Sequence, residues 1–212
     1  MASTSLLRKP FRYTYFNATL YLIAINVLVF AVSYMFPTLN DYLALNPAMV
    51  LSGYVWQVFT YMFAHANLAH IFFNMIGLFF FGRAVERSIG SKEFLLFYLL
   101  SGVLAGLISF LIFVVAGAWN IMLLGASGAI FSLLLAFAIL YPDALVYIYG
   151  IVPLRAPVMV LGYAAIEIGS QILSFSTSVA HYTHLAGFAV GWVYFLARFG
   201  INPAKRLFRR KS

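Results

Sequence analysis

Residues 94–142 read FLLFYLLSGVLAGLISFLIFVVAGAWNIMLLGASGAIFSLLLAFAILYP, 49 positions without one Asp, Glu, Lys or Arg. One bilayer-crossing helix needs about 20 apolar residues, so this stretch holds two. The sequence Gly117-Ala118-Trp119-Asn120 marks the break between them. The second of the pair, Gly128 to Tyr141, makes a helix of only about 20 Å at 1.5 Å per residue. A hydrocarbon core is about 30 Å thick. The outer part of this crossing must therefore be non-helical backbone, which a membrane tolerates only inside protein or beside a water-filled cavity. A polar site is expected there.

Outward from this stretch, residues 13–40, 42–82, 156–166 and 168–197 are also free of charged side chains. The first holds one helix. The second holds one helix behind a long loop broken by Pro47 and Gly53, and the last two together hold two more, interrupted around Ser174–Ser178. Six spans result, near 17–36, 66–84, 94–115, 126–141, 157–174 and 180–198. The chain is 64% hydrophobic and 8% charged, with a mean hydropathy of +0.97. A soluble domain carries about 25% charged residues, so a water-covered enzyme, a disordered chain and a nucleic-acid binder are excluded. The fold class is all-α: a polytopic membrane protein of six transmembrane helices.

The thirteen basic residues are Arg8, Lys9, Arg12, Arg83, Arg87, Lys92, Arg155, Arg198, Lys205, Arg206, Arg209, Arg210 and Lys211. With six spans, all fall on the side of the N-terminus, which places both termini in the cytoplasm. The +8 net charge is therefore a topology signal. The tail from Lys205 to Lys211 is expected to meet anionic lipid headgroups. The organisation is a basic cytoplasmic segment (1–16), a membrane domain (17–198) and a basic cytoplasmic tail (199–212). No small-residue cleavage site follows the first apolar run, so it reads as an anchor. Cysteine is absent, which excludes disulfides and thiolate metal sites.

The second, fourth and sixth helices run from outside to inside, and each carries polar residues near its outer end. The second offers His70 and Asn74, four apart and on one face. The fourth opens with Gly125-Ala126-Ser127-Gly128, and the sixth carries His181, His184, Gly187 and Gly191. Singly these read as packing and hydrogen-bonding residues; Gly187/Gly191 and Gly102/Gly106 suit close helix contact. Their coincidence at one depth is harder to ascribe to packing, because polar groups in lipid are costly. The set suits a serine hydrolase. A serine hydroxyl needs a base, which His184 supplies. Asn74, His70 and the Ser127 N–H at a helix start are donors for an oxyanion. The only carboxylate on an outer loop is Asp41, so a Ser–His dyad is expected, its imidazole oriented by packing.

These motifs together resemble the rhomboid intramembrane serine proteases of the six-helix bacterial type, over nearly the whole chain. Gly125-Ala126-Ser127-Gly128 is similar to the family's Gly-x-Ser-Gly, and the resemblance makes Ser127 the nucleophile. His184-Leu185-Ala186-Gly187 resembles the sixth-helix motif and makes His184 the base. His70-Ile71-Phe72-Phe73-Asn74 resembles the second-helix motif and assigns His70 and Asn74 to the oxyanion hole. Phe131 fits an aromatic that packs on the catalytic imidazole, and Gly82-Arg83-Ala84-Val85-Glu86-Arg87 resembles the family's second-helix end. Two departures stand out: Trp56-Gln57 replaces a Trp-Arg pair in the first loop, and Thr183 replaces an alanine before the histidine. The resemblance implies transmembrane protein substrates and no metal or organic cofactor. Size and the lack of a targeting sequence make a bacterial plasma (inner) membrane the default multi-pass location, with the site expected to open to the extracytoplasmic side.

Four residues stay open. His65 reads as a loop hydrogen-bonder, and His181 as a cavity-lining or capping residue. Glu86 reads as a structural residue at the cytoplasmic surface. Glu167, mid-span in the fifth helix, reads either as a hydrogen-bonded glutamate facing other helices or as part of a proton path. A transporter or channel and a non-catalytic membrane-protein binder of the same fold are the alternative functions.

Overall fold

The computed structural model describes residues 8–148, 150–173 and 179–208, with the side chains of 170–180 outside the described set. The expected break at 174–178, residues 1–7 and the tail end Arg209–Lys211 lie outside it. Six long helices run through the described residues: α1 (Ala18–Met35), α2 (Leu68–Ile89), α3 (Ser91–Val115), α4 (Ser127–Leu140), α5 (Ala156–Leu173) and α6 (Val179–Tyr194). The first three are long and apolar enough to cross a membrane by length and composition; α4 and the Ala156–Gly169 part of α5 are shorter apolar stretches. α2 contains a π-helical turn at Leu78–Gly82, and α6 continues into another at Phe195–Phe199.

The chain is dressed for lipid. Val115 is 88% exposed and Tyr34 79%, while Ser101, Ser109 and Ser132 are fully buried. Apolar side chains on the outside and small polar ones between helices are the pattern of a multi-pass membrane protein, whose helices are held by close packing and interhelical hydrogen bonds.

A close backbone approach joins α4 to α6. A Cβ added to Gly187 would stand 2.1 Å from the Gly128 carbonyl oxygen. One turn along, the Ser132 hydroxyl donates to the Gly187 carbonyl at 2.5 Å. α3 closes the third side through Ser109, which shares a 2.7 Å hydrogen bond with Thr183 of α6. Thr183, in place of the family's alanine, is thus engaged between helices.

At the other end of the bundle two carboxylates tie the helices together. Glu86, fully buried, accepts from the backbone N–H groups of Ala18 and Thr19 (2.6 and 3.0 Å), from the Thr19 hydroxyl (2.6 Å) and from the Ser91 hydroxyl (2.5 Å). It caps the start of α1, where free N–H groups favour an anion. Glu93 accepts from the Phe11 N–H, the Tyr194 hydroxyl and both Arg198 Nε and an Arg198 terminal nitrogen. The segment before α1 and the end of α6 are thereby fixed to the start of α3.

Three short helices (Leu39–Leu43, Pro47–Leu51 and Gln57–Thr60) fill the loop between α1 and α2. Gln57 is its centre. Fully buried, it accepts from the Asn46 N–H (3.0 Å) and donates to the Asp41 carbonyl (3.1 Å). A glutamine thus organises this loop where the family commonly has arginine. The strand-like exchange Leu45 N–H to Leu123 carbonyl (2.8 Å) and its reverse (2.9 Å) joins the loop to the non-helical segment before α4. That segment is the non-helical approach to α4, which is 14 residues long.

One element departs from the all-α expectation. β1 (Leu145–Ile148) and β2 (Val152–Arg155) pair antiparallel, Leu145 opposite Arg155 and Ile148 opposite Val152, between α4 and α5. β-branched and aromatic residues on either side of a glycine turn form this hairpin; the hydropathy pattern, dominated by the flanking helices, conceals it.

Two stability outcomes follow. Glu86→Ala strands two helix-start N–H groups and should cost about 3 kcal/mol, seen as a lowered thermal midpoint in detergent. Gly187→Ala forces overpacking of about 3 kcal/mol at the α4–α6 contact. Gly162→Ala on α5, with nothing within 4 Å of the added Cβ, should not lower the midpoint, since alanine suits a helix interior better than glycine.

Candidate active site

Gly125 sets the entrance to α4. Its φ of +117° is outside the range of side chains with a Cβ. An added Cβ would also lie 2.6 Å from His70 Nε2. Its N–H donates to the Tyr61 carbonyl at 2.9 Å, so this turn is anchored to the first loop. Two residues later the chain enters α4 with Ser127 as its first residue, where backbone N–H groups lack intrahelical partners.

Ser127 Oγ lies 2.8 Å from His184 Nε2. The His184 ring stacks on Phe131, one turn into α4, with centroids 4.0 Å apart and planes 6° from parallel. Phe131 is itself wedged edge-on by Phe188 and Tyr163. The imidazole is thus held by a flat aromatic face on one side.

His70 and Asn74 stand on α2, beside the Gly125 turn. Asn67 caps α2 by accepting from the His70 N–H at 2.9 Å, and the Asn74 amide donates to the His70 carbonyl at 2.8 Å. An amide nitrogen carries two hydrogens, so one is engaged within the helix and the second is available. His65 is buried, its Nδ1 3.3 Å from the Phe63 carbonyl and its ring edge-on to His70 at 5.1 Å. Burial first, then the neighbouring His70, pushes its imidazole down to about 4, so it is neutral at ordinary pH and a packing element for His70. Gly128 and Gly187 bring α4 and α6 into contact directly beneath the serine and histidine.

The expected absence of a third carboxylate is corrected by the structure. Glu167 of α5 is buried, with Oε1 2.9 Å from His184 Nδ1 and Oε2 in contact with His181 Nδ1. A depth argument could have found it. Glu167 stands twelve positions beyond Arg155, about 18 Å along a helix, which carries the side chain into the bundle to the level of the histidines. Glu167, His181 and His184 offer one donor atom each within 4.8 Å of one another. These are the groups that could hold a metal, although the same atoms already meet one another.

The comparisons agree on one lineage. A family profile described as Rhomboid domain matches residues 52–200. RHOMBOID-like protein 12, mitochondrial, of Arabidopsis thaliana is 35% identical over 156 residues, 66% of this chain and 45% of that protein. RHOMBOID-like protein 1 of the same plant is 32% identical over 177 residues, 82% of this chain and 42% of that protein. Rhomboid protease GluP of Bacillus subtilis is 37% identical over 97 residues, 46% of this chain and 18% of that protein. The chain spans less than half the length of these curated relatives. The profile match runs from the loop between α1 and α2 through the Gly125 turn to the end of α6, and on that ground the chain belongs to the rhomboid family.

Proposed function

We propose that the chain is an intramembrane serine endopeptidase that hydrolyses peptide bonds in or near transmembrane segments of other membrane proteins. The observation that carries this reading is the 2.8 Å contact between Ser127 Oγ and His184 Nε2 at a helix start inside an apolar bundle. In this reading six helices cross the membrane and both termini are cytoplasmic, in a bacterial plasma membrane. The exposed Lys205 and Arg206 lie against anionic headgroups. The site opens to the extracytoplasmic side, where water enters.

Ser127 and His184 are the catalytic residues. Ser127 Oγ attacks the scissile carbonyl carbon as His184 Nε2 takes its proton. The carbonyl oxygen becomes an oxyanion, held by the Ser127 N–H, the His70 imidazole and the free hydrogen of the Asn74 amide. Collapse breaks the C–N bond, and His184 returns the proton to the leaving amine. Water, activated by the same imidazole, then releases the acyl group. Gly125 and Gly128 leave room for an extended substrate backbone beside the serine, and Phe131 and Gly187 hold the imidazole in place. No cofactor enters this chemistry. Glu167 meets two histidines of α6, one of them the proposed base, which supports a role beside the dyad.

Cleavage of a transmembrane reporter in proteoliposomes tests this. Wild type should release fragments whose masses place the cut within or at the edge of the span. Ser127→Ala and His184→Ala should each lower the rate at least about a thousandfold, and Asn74→Ala about tenfold to a thousandfold in kcat. Cleavage by Ser127→Ala at the wild-type rate overturns the assignment.

A further inference from the structure

Glu167 is the only Asp, Glu, Lys or Arg in the sequence of α5, and it is buried. Both oxygens are directed at imidazole nitrogens, Oε1 at His184 Nδ1 and Oε2 at His181 Nδ1. A neutral imidazole has one N–H and one bare nitrogen. For His184 Nε2 to accept the Ser127 proton, the hydrogen must sit on Nδ1, and an acceptor for it stands 2.9 Å away.

We propose that Glu167 is a positioning residue that completes a Ser127–His184–Glu167 relay. It fixes the His184 tautomer with Nε2 as base, and it stabilises the imidazolium that forms when Ser127 is deprotonated. His181, three residues before His184, holds the second carboxylate oxygen, so that the first stays aimed at the catalytic ring. The aromatic stack of Phe131 fixes the plane of the imidazole; Glu167 fixes which edge of it faces the serine. This inference rests on the protease reading for its consequence in catalysis, and on geometry alone for the tautomer.

The alternative use of the same three side chains is a metal site. Here each donor atom already has a partner among the other two residues, and a metal bound to His184 Nδ1 would require the two histidines to give up the carboxylate.

The full chain in proteoliposomes tests the relay through wild type, Ser127→Ala, Glu167→Gln, Glu167→Leu, His181→Phe and the Glu167→Gln/His181→Phe pair. Glu167→Gln should lower kcat about 10- to 100-fold, less than the ~10⁴-fold of a fully buried triad aspartate because Phe131 still holds the ring, with KM within about twofold. His181→Phe should lower kcat about threefold to tenfold, and the pair should be no slower than Glu167→Gln alone, since both act through one carboxylate. Nitrogen NMR of ¹⁵N-histidine-labelled protein should show His184 with its hydrogen on Nδ1 in wild type and a tautomer mixture in Glu167→Leu. Thermal unfolding separates misfolding from loss of orientation. A folded Glu167→Gln with wild-type kcat, a wild-type His184 protonated on Nε2, or activity removed by chelator and restored by Zn²⁺ would overturn the relay. If no variant or wild type cleaves, the protease reading fails, and the tautomer measurement still decides whether Glu167 orients His184.

Discussion

The arrangement hangs on the contact between Gly128 and Gly187. No side chain fits there: a Cβ on Gly187 would stand 2.1 Å from a backbone oxygen. Bare backbone on bare backbone is the tightest way two membrane helices can meet, and it fixes both their separation and their register. Ser127 is the residue before one glycine, and His184 lies one turn before the other. A single packing contact therefore delivers the hydroxyl to within 2.8 Å of the imidazole. The Ser132 to Gly187 hydrogen bond and the Ser109 to Thr183 hydrogen bond lock that register from two sides.

A second constraint follows from the solvent. In lipid every backbone polar group must find a partner inside the protein. The short α4 leaves the approach to it unwound, and the loop between α1 and α2 supplies the partners. Leu45 pairs with Leu123, and the Tyr61 carbonyl takes the Gly125 N–H. Gln57 and Asn46 hold that loop in shape. At the opposite end Glu86 and Glu93 gather α1, α2, α3 and α6. Charge thus clamps one end of the bundle, while the other is left with the small, polar residues from which a site can be built.

Much of this was legible in the residues. Long charge-free stretches located the helices, and the deficit in length of Gly128–Tyr141 pointed to the unwound segment. The glycines marked the close contacts. Glu167 was legible as a glutamate facing other helices, but its pairing with His184 and His181 was not, for a physical reason: hydropathy reports that a carboxylate lies in a helix, while its partners sit on another helix and are set by rotation. Only its depth was available from spacing. Gln57 was similarly opaque, because its hydrogen bonds run to backbone carbonyls and N–H groups that carry no sequence signature. The β1–β2 hairpin was hidden by the apolar helices on both sides of it.

The central claim is that Ser127 is a nucleophile activated by His184. A serine-reactive fluorophosphonate, applied to the protein in liposomes and followed by mass spectrometry of the labelled peptide, reads that claim without any substrate. The account predicts an adduct on Ser127 in wild type and its loss in His184→Ala, with the variant still folded. An adduct on another serine, or labelling of Ser127 that survives removal of His184 at the wild-type rate, would contradict it.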